Sequence, residues 1–201
     1  MMIIRGYCES ILNTDVGEVD GKRRNPHKMR GLMRAISRGI SQPVSKSSIM
    51  EDMRAIEGTP ISANTLDDYM TSLRAICVLD EMQAWSPNLR SKTAIRTSDT
   101  MHLCDPAIAA YFLSSSADDL MNDPRTFGLL FESLVVRDFR IYARSIGGDV
   151  FHYRDKTGLE ADAVIHLNNG RWALVEVKLG ESWVDEGAKN LIRLRDRINT
   201  D

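Results

Sequence analysis

The spacing of apolar residues changes period at Gly147-Gly148, between the longest helical stretch and the runs that follow it, and an all-helical or all-strand fold cannot satisfy both sides of that change. Before it, apolar side chains recur three and four residues apart, the spacing that lines one face of a helix. After it they alternate, the spacing of a strand with one covered face. The longest helical stretch covers residues 127–143, with Phe127, Leu130, Phe131, Leu134, Val135, Phe139 and Tyr142 apolar. Three alternating runs follow at 149–154, 159–167 and 171–179, divided by Lys156-Thr157-Gly158 and Asn168-Asn169-Gly170. A final helix over 185–198 turns Leu191, Leu194 and Ile198 inward. Helix, three strands and helix make an α/β layer.

The first half reads as helices and a hairpin. Met29, Leu32, Met33 and Ile36 predict a helix over 27–38 closed by Gly39, and a second spans 47–56 before Gly58-Thr59-Pro60 breaks it. Ser62 or Asn64 caps a third through Leu66, Tyr69, Met70, Leu73 and Ile76 to about residue 79. Three short helices have the proportions of a helix-turn-helix, and 78–103, with turns at Ser86-Pro87-Asn88 and Ser91-Lys92, alternates as a β-wing would. A winged helix joins these features; a helical bundle with a hairpin fits the same pattern. Asp105-Pro106 opens a helix to Leu113, and 117–126 is a polar connection. Residues 1–26 show little apolar period and end in Val-Asp-Gly-Lys-Arg-Arg-Asn-Pro, which reads as a linker. The division expected is a linker over 1–26, a winged helix over 27–116 and an α/β domain over 117–201.

Composition narrows the function. With 43% hydrophobic residues and 26 basic against 28 acidic residues, the chain is an ordinary folded one. No apolar run approaches a membrane span, and Met-Met-Ile-Ile-Arg-Gly-Tyr has no signal-peptide pattern, so the cytoplasm is the expected compartment and no membrane partner is expected. Cys8, Cys77 and Cys104 stand apart, which implies neither a disulfide framework nor zinc. His27, His102, His152 and His166 lack metal-ligand spacing. There is no Gly-x-Ser-x-Gly elbow, and no Gly-x-x-x-x-Gly-Lys-[Ser/Thr] loop, so no ATP site is expected in the chain.

Near-zero net charge makes nucleic-acid binding depend on a local patch. Lys22, Arg23, Arg24, Lys28, Arg30 and Arg34 could contact phosphate, with Asn64 and Thr65 opening a helix that enters a major groove. Asp67 and Asp68 on that helix oppose groove reading.

The chemistry-bearing residues lie in the second half. Strand period puts Glu160, Asp162 and Val164 on one face, and Trp172, Leu174, Glu176 and Lys178 on one face of the next strand. Charges in a run as apolar as Trp-Ala-Leu-Val-Glu-Val-Lys-Leu are costly unless paired or bound to metal. A short turn can bring Asp162 beside Glu176. Paired carboxylates suit a hard cation such as Mg²⁺ or Mn²⁺, and a neighbouring Lys can hold water against a phosphodiester. Glu132 interrupts the most apolar helix on the side of Val135, Val136 and Phe139. It is either a third acidic group at the metal or a surface Glu paired to Arg137 or Lys178.

Asp162, then Glu176-Val177-Lys178, preceded by a helix bearing Glu132, resembles the PD-(D/E)XK superfamily with its restriction-endonuclease-like fold. Phe127-Gly-Leu-Leu-Phe-Glu132-Ser-Leu-Val, Tyr153-Arg154, Gly158-Leu-Glu-Ala-Asp162 and Val175-Glu-Val-Lys178 are similar to the domain of unknown function that follows an AAA-type ATPase in many prokaryotic ATP-binding proteins. Ile61-Ser-Ala-Asn-Thr65-Leu-Asp-Asp-Tyr69 and Leu103-Cys-Asp105-Pro resemble the winged helix that precedes it there. Asn13-Thr14-Asp15 stands where such proteins often carry Glu-Arg-Asp. The resemblance implies that residues 1–26 are a remnant of an ATPase lid and that an AAA-type ATPase is a partner in cis or in trans. It also implies a Mg²⁺- or Mn²⁺-dependent nuclease acting on DNA: Asp162 and Glu176 hold the metal, Glu132 assists, and Lys178 serves the attacking water. The competing expectation is a docking module for DNA or protein that performs no reaction.

Overall fold

The computed structural model of the chain describes residues 2–87 and 98–198. The turn expected at Ser91-Lys92, and Asn88 of the preceding one, lie outside them. Helix α1 (Met2–Ser10) runs through a π turn, Ile11–Asp15, into α2 (Val16–Glu18). Next come α3 (Pro26–Arg38), α4 (Lys46–Ala55) and α5 (Ala63–Ala75). Their starts follow from local chemistry: the Asn25, Ser45 and Ser62 side chains accept the first free backbone N–H groups of the three helices. Strands β1 (Leu79–Met82) and β2 (Thr100–Leu103) pair antiparallel, with Leu79 opposite Leu103. Ile40 and Pro43 bridge to Met101 and Thr100, adding a short third line to that hairpin. The core here is one cluster in which Met29, Leu32, Met33, Ile36, Met53, Leu66, Met70 and Leu73 are fully buried.

Three local expectations need correction. The linker expected over 1–26 is instead helical to Glu18, and Cys8, Ile11, Leu12 and Val16 are buried in the core. Their spacing, i, i+3, i+4 and i+8, is helical, but the stripe is short and is followed by the polar run 17–26. Helix α5 ends at Ala75, four residues before the expected end, because Cys77 adopts φ +58° and turns the chain into β1. Residues 117–126, expected as a connection, contain α7 (Ala117–Asn122), which follows α6 (Pro106–Phe112). Helix α7 is held by a capping box between Ser116 and Asp119 and packs only the half-buried Leu120 against the core, so no apolar period could reveal it.

The C-terminal part begins with α8 (Pro124–Ser145), followed by β3 (Gly148–Arg154), β4 (Glu160–Leu167) and β5 (Trp172–Val175). A 3₁₀ turn, Glu181–Trp183, leads into α9 (Val184–Ile198). The sheet order is β3-β4-β5, antiparallel throughout, with Val164 opposite both Phe151 and Leu174. Val136 and Ala143 of α8 pack with Val150 and Ala163 and reach Met82 of the hairpin. Leu194 of α9, with Leu191 and Ile198 beside it as expected, packs with Val164, Trp172, Leu174 and Trp85. The chain is thus a mixed helical and strand protein with small antiparallel sheets. No helix among the described residues is long and apolar enough to cross a membrane.

Candidate active site at the end of the sheet

The expected third strand ran to Leu179, but β5 stops at Val175. Asp162 explains the stop. Ala163 opposite Val175 is the last rung reached along β5, and the next donor, Val177 N–H, is taken by Asp162 Oδ2 at 2.7 Å. A side-chain carboxylate replaces the next backbone rung, so Glu176 and Lys178 leave the ladder while staying beside it.

Glu176 is only 9% exposed in its side chain. Its Oε1 accepts from Lys178 Nζ at 2.6 Å, and its Oε2 is enclosed with no hydrogen-bond partner among the described residues. Helix α9 closes over this pair at Gly187: a Cβ there would stand 3.1 Å from Glu176 Cγ and 3.7 Å from Lys178 Cε. Glycine therefore sets how near the helix comes. Glu132 sits one turn before the buried Val136 on α8, which directs it toward the sheet. The alternative pairing with Arg137 does not occur; Arg137 bonds Asp105 and Asp138.

The four groups act on one another electrostatically. Burial pushes the Glu132 carboxyl up to about 9, and the nearby Asp162 adds to this while Lys178 opposes it. Burial raises Asp162 to about 6 against the hydrogen bond from Val177, with Glu176 pushing it further. Burial acts to lower Lys178, yet Glu176, Asp162 and Glu132 together hold it above the ordinary lysine value. Two clefts open here. Glu132 and Asp162 line one of about 320 Å³, with Ser41, Thr100 and His152 on its walls. Glu176 and Lys178 line another of about 620 Å³ beside Trp183, Lys189 and Arg193, and Glu160 borders both.

Among the described residues no three His, Cys, Asp or Glu side chains stand close enough to form a ready metal cage. The donor chemistry of Asp162 and Glu176 nonetheless fits a hard cation, since mutually repelling carboxylates and an enclosed oxygen without a donor are what such an ion relieves.

Sequence reasoning brought Glu132, Asp162, Glu176 and Lys178 to one place and missed Gly187 and Trp183. Gly187 stands in a helix where no turn requires a glycine, and that placement was the available signal. His166 accepts from Trp85 Nε1 at 3.4 Å, a structural contact. His152 is buried, with Nε2 enclosed and unpartnered among the described residues, and burial lowers it to about 4.

Four of the six basic residues expected to contact phosphate are paired with carboxylates. Lys22 pairs with Asp20 and Asp68, and Arg24, 3% exposed in its side chain, bonds Asp20, Asp68 and the Val16 carbonyl. Arg30 pairs with Glu9 and Arg34 with Glu57. Arg23 is exposed and Lys28 half-buried. Asn64 is exposed and Thr65 half-buried at the start of α5, where Thr65 N–H bonds the Ser62 cap. Asp68, which opposes groove reading, is the acceptor that neutralises Lys22 and Arg24.

Two family models match successive parts of the chain. Residues 1–119, more than half of the chain, match the family described as a domain of unknown function, DUF8612, and the chain belongs to that family. Residues 127–201 match a second description, the domain of unknown function DUF4143. No curated protein and no solved structure matches the chain.

Proposed function

We propose that the chain is a metal-dependent phosphodiesterase module acting on DNA, a winged helix followed by a restriction-endonuclease-like PD-(D/E)XK domain. The observation that carries the reading is the meeting of Asp162, Glu176, Lys178 and Glu132 at the end of β4 and β5, with Glu176 Oε2 enclosed and unpartnered. The order of α3, the bridge at Ile40, α4, α5 and the β1–β2 hairpin supports the winged helix. Asp162 and Glu176 would hold Mg²⁺ or Mn²⁺, with Glu132 assisting from the neighbouring cleft. When bound, the ion supplies Lewis acidity toward a phosphodiester.

The chain's own groups provide the rest. Lys178 remains protonated, offers hydrogen bonds that orient a water, and neutralises charge gathering on the phosphoryl oxygens. Asp162 anchors the Val177 backbone and so fixes where Glu176 and Lys178 point. DUF4143 domains are commonly associated with AAA-type ATPases, which supports such an ATPase as the partner in cis or in trans.

A docking module of that ATPase, without catalysis, is the second reading. It is favoured by the Lys178–Glu176 ion pair, which occupies one of the carboxylate oxygens a cation needs. Calorimetric titration of Mn²⁺ separates the two. The nuclease reading expects binding by the wild type that is lost in Asp162→Ala and Glu176→Ala proteins that still melt cooperatively. Equal binding in all three, or none in the wild type even beside a non-cleavable oligonucleotide, overturns it in favour of docking.

A further inference from the structure

The chain has three tryptophans, and they divide cleanly. Trp85 and Trp172 pack against each other with ring centroids 5.4 Å apart inside the cluster under α9. Trp183 lies in the 3₁₀ turn before α9, 59% exposed, on the wall of the cleft that holds Glu176 and Lys178. It is not a loose side chain. Its backbone N–H bonds the Gly180 carbonyl at 3.1 Å, and its ring edge lies against Gly180, where a Cβ would stand 3.6 Å away. Leu179 and Val184 beside it are also exposed, at 44% and 53%, so the rim carries open apolar area.

The same cleft also carries cations. Lys189 and Arg193 project from α9 one turn apart into the same opening and make no ion pair with any described residue. The carboxylates in the cleft offset them only in part: Glu176 is held by Lys178, Glu160 faces Arg154 at 3.7 Å, and Glu186 remains. An exposed indole a short way from two unneutralised cations is the pairing that holds a base by its face and its neighbouring phosphates by charge. A duplex hides its base faces in the stack. Among the described residues, Lys22, Arg24, Arg30 and Arg34 of the helical half are already paired with carboxylates, whereas Lys189 and Arg193 are not.

We propose that this cleft takes single-stranded nucleic acid, Trp183 stacking on an unpaired base while Lys189 and Arg193 contact the backbone phosphates. This deepens the phosphodiesterase reading, on which it rests for the identity of the polymer. It names frayed or single-stranded ends as the substrate class delivered to Lys178.

The test needs neither metal nor cleavage. A fluorescein-labelled oligothymidylate and the corresponding duplex are titrated into the full chain in EDTA, following both anisotropy and tryptophan emission. The single strand is expected to bind about tenfold or more tightly than the duplex and to quench emission. Trp183→Ala is expected to lose the quenching and about tenfold in affinity, and the Lys189→Gln/Arg193→Gln protein to bind with a salt slope smaller by about 1–2. Trp183 is exposed, so its replacement leaves the core intact, which a thermal melt checks. Equal affinity for duplex, or unchanged binding by Trp183→Ala, overturns the proposal. So does Trp183-dependent self-association without oligonucleotide binding, which would make the rim a protein interface. Because metal is absent, a failure here is separate from a failure to bind Mn²⁺.

Discussion

The two halves of the molecule treat their carboxylates in opposite ways. In the helical half, acids and guanidinium groups are matched: Glu9 with Arg30, Asp68 with Arg24, and Glu57 with both Arg34 and Arg38. At the end of the sheet, Glu132, Asp162 and Glu176 share Lys178, and only Glu176 bonds it. Matching serves stability, whereas crowding like charges in a cleft works against it and persists where a site needs it. The contrast therefore separates the part that holds the fold from the part proposed to perform chemistry, and it predicts that removing a carboxylate has opposite signs in the two places.

The largest effect is expected from Glu132→Gln. Near pH 4 both the folded and the unfolded chain keep this proton, so burying Glu132 costs little. As pH rises past the ordinary value of 4.5 the unfolded chain ionises, while the folded carboxyl holds its proton to about 9. Stability from this group is thus lost over that window as pH rises. The glutamine protein should be more stable than wild type at pH 8 by about 1–3 kcal/mol, discounted for water in the cleft, and indistinguishable from it near pH 4. Urea unfolding at the two pH values in EDTA reads this directly. Coincident curves at pH 8 would mean that Glu132 ionises freely and that the crowding is harmless.

Glu57→Gln should move the other way. The Glu57 side chain is 11% exposed and accepts from Arg34 at 3.2 Å and from Arg38 at 2.8 Å. Losing its charge leaves two guanidinium groups facing an amide, at a cost of about 1–2 kcal/mol. A stabilised or unchanged urea midpoint would break the contrast between the halves.

The same contrast explains what was legible beforehand. Met29, Leu32, Met33 and Ile36 announced α3 because a buried stripe writes its period into the sequence. The polar helix α7 writes almost none, and the stripe Cys8, Ile11, Leu12, Val16 is short and runs into the polar stretch 17–26, so both were read as connections. At the site, Asp162, Glu176, Lys178 and Glu132 were legible because charge is conspicuous in an apolar strand or helix. That β5 ends at Val175 was not, since the cause is one side chain taking one backbone N–H. Of the basic residues 22–34, Lys22, Arg24, Arg30 and Arg34 meet carboxylates that the sequence does not announce. Charge along a sequence does not say which partners at Glu9, Glu57 and Asp68 will reach it across the fold.

Arg24→Ala and Arg193→Gln sharpen the comparison with the smallest expected changes. Arg24 is conspicuously basic in sequence, but its guanidinium is enclosed by Asp20, Asp68 and the Val16 carbonyl, and it ties the end of α2 to α5. Its loss should cost about 1 kcal/mol of stability and leave oligonucleotide affinity unchanged within about twofold, because a cation already spent on carboxylates releases no counterions from a phosphate. Arg193 makes no such pairs with described residues and borders the cleft. Its replacement should leave the melting curve in place and lower single-strand affinity by severalfold, more at low salt than at high. If Arg24→Ala instead weakened oligonucleotide binding with its fold intact, the ion pairs would have to open on contact with phosphate, and the helical half would join the binding surface.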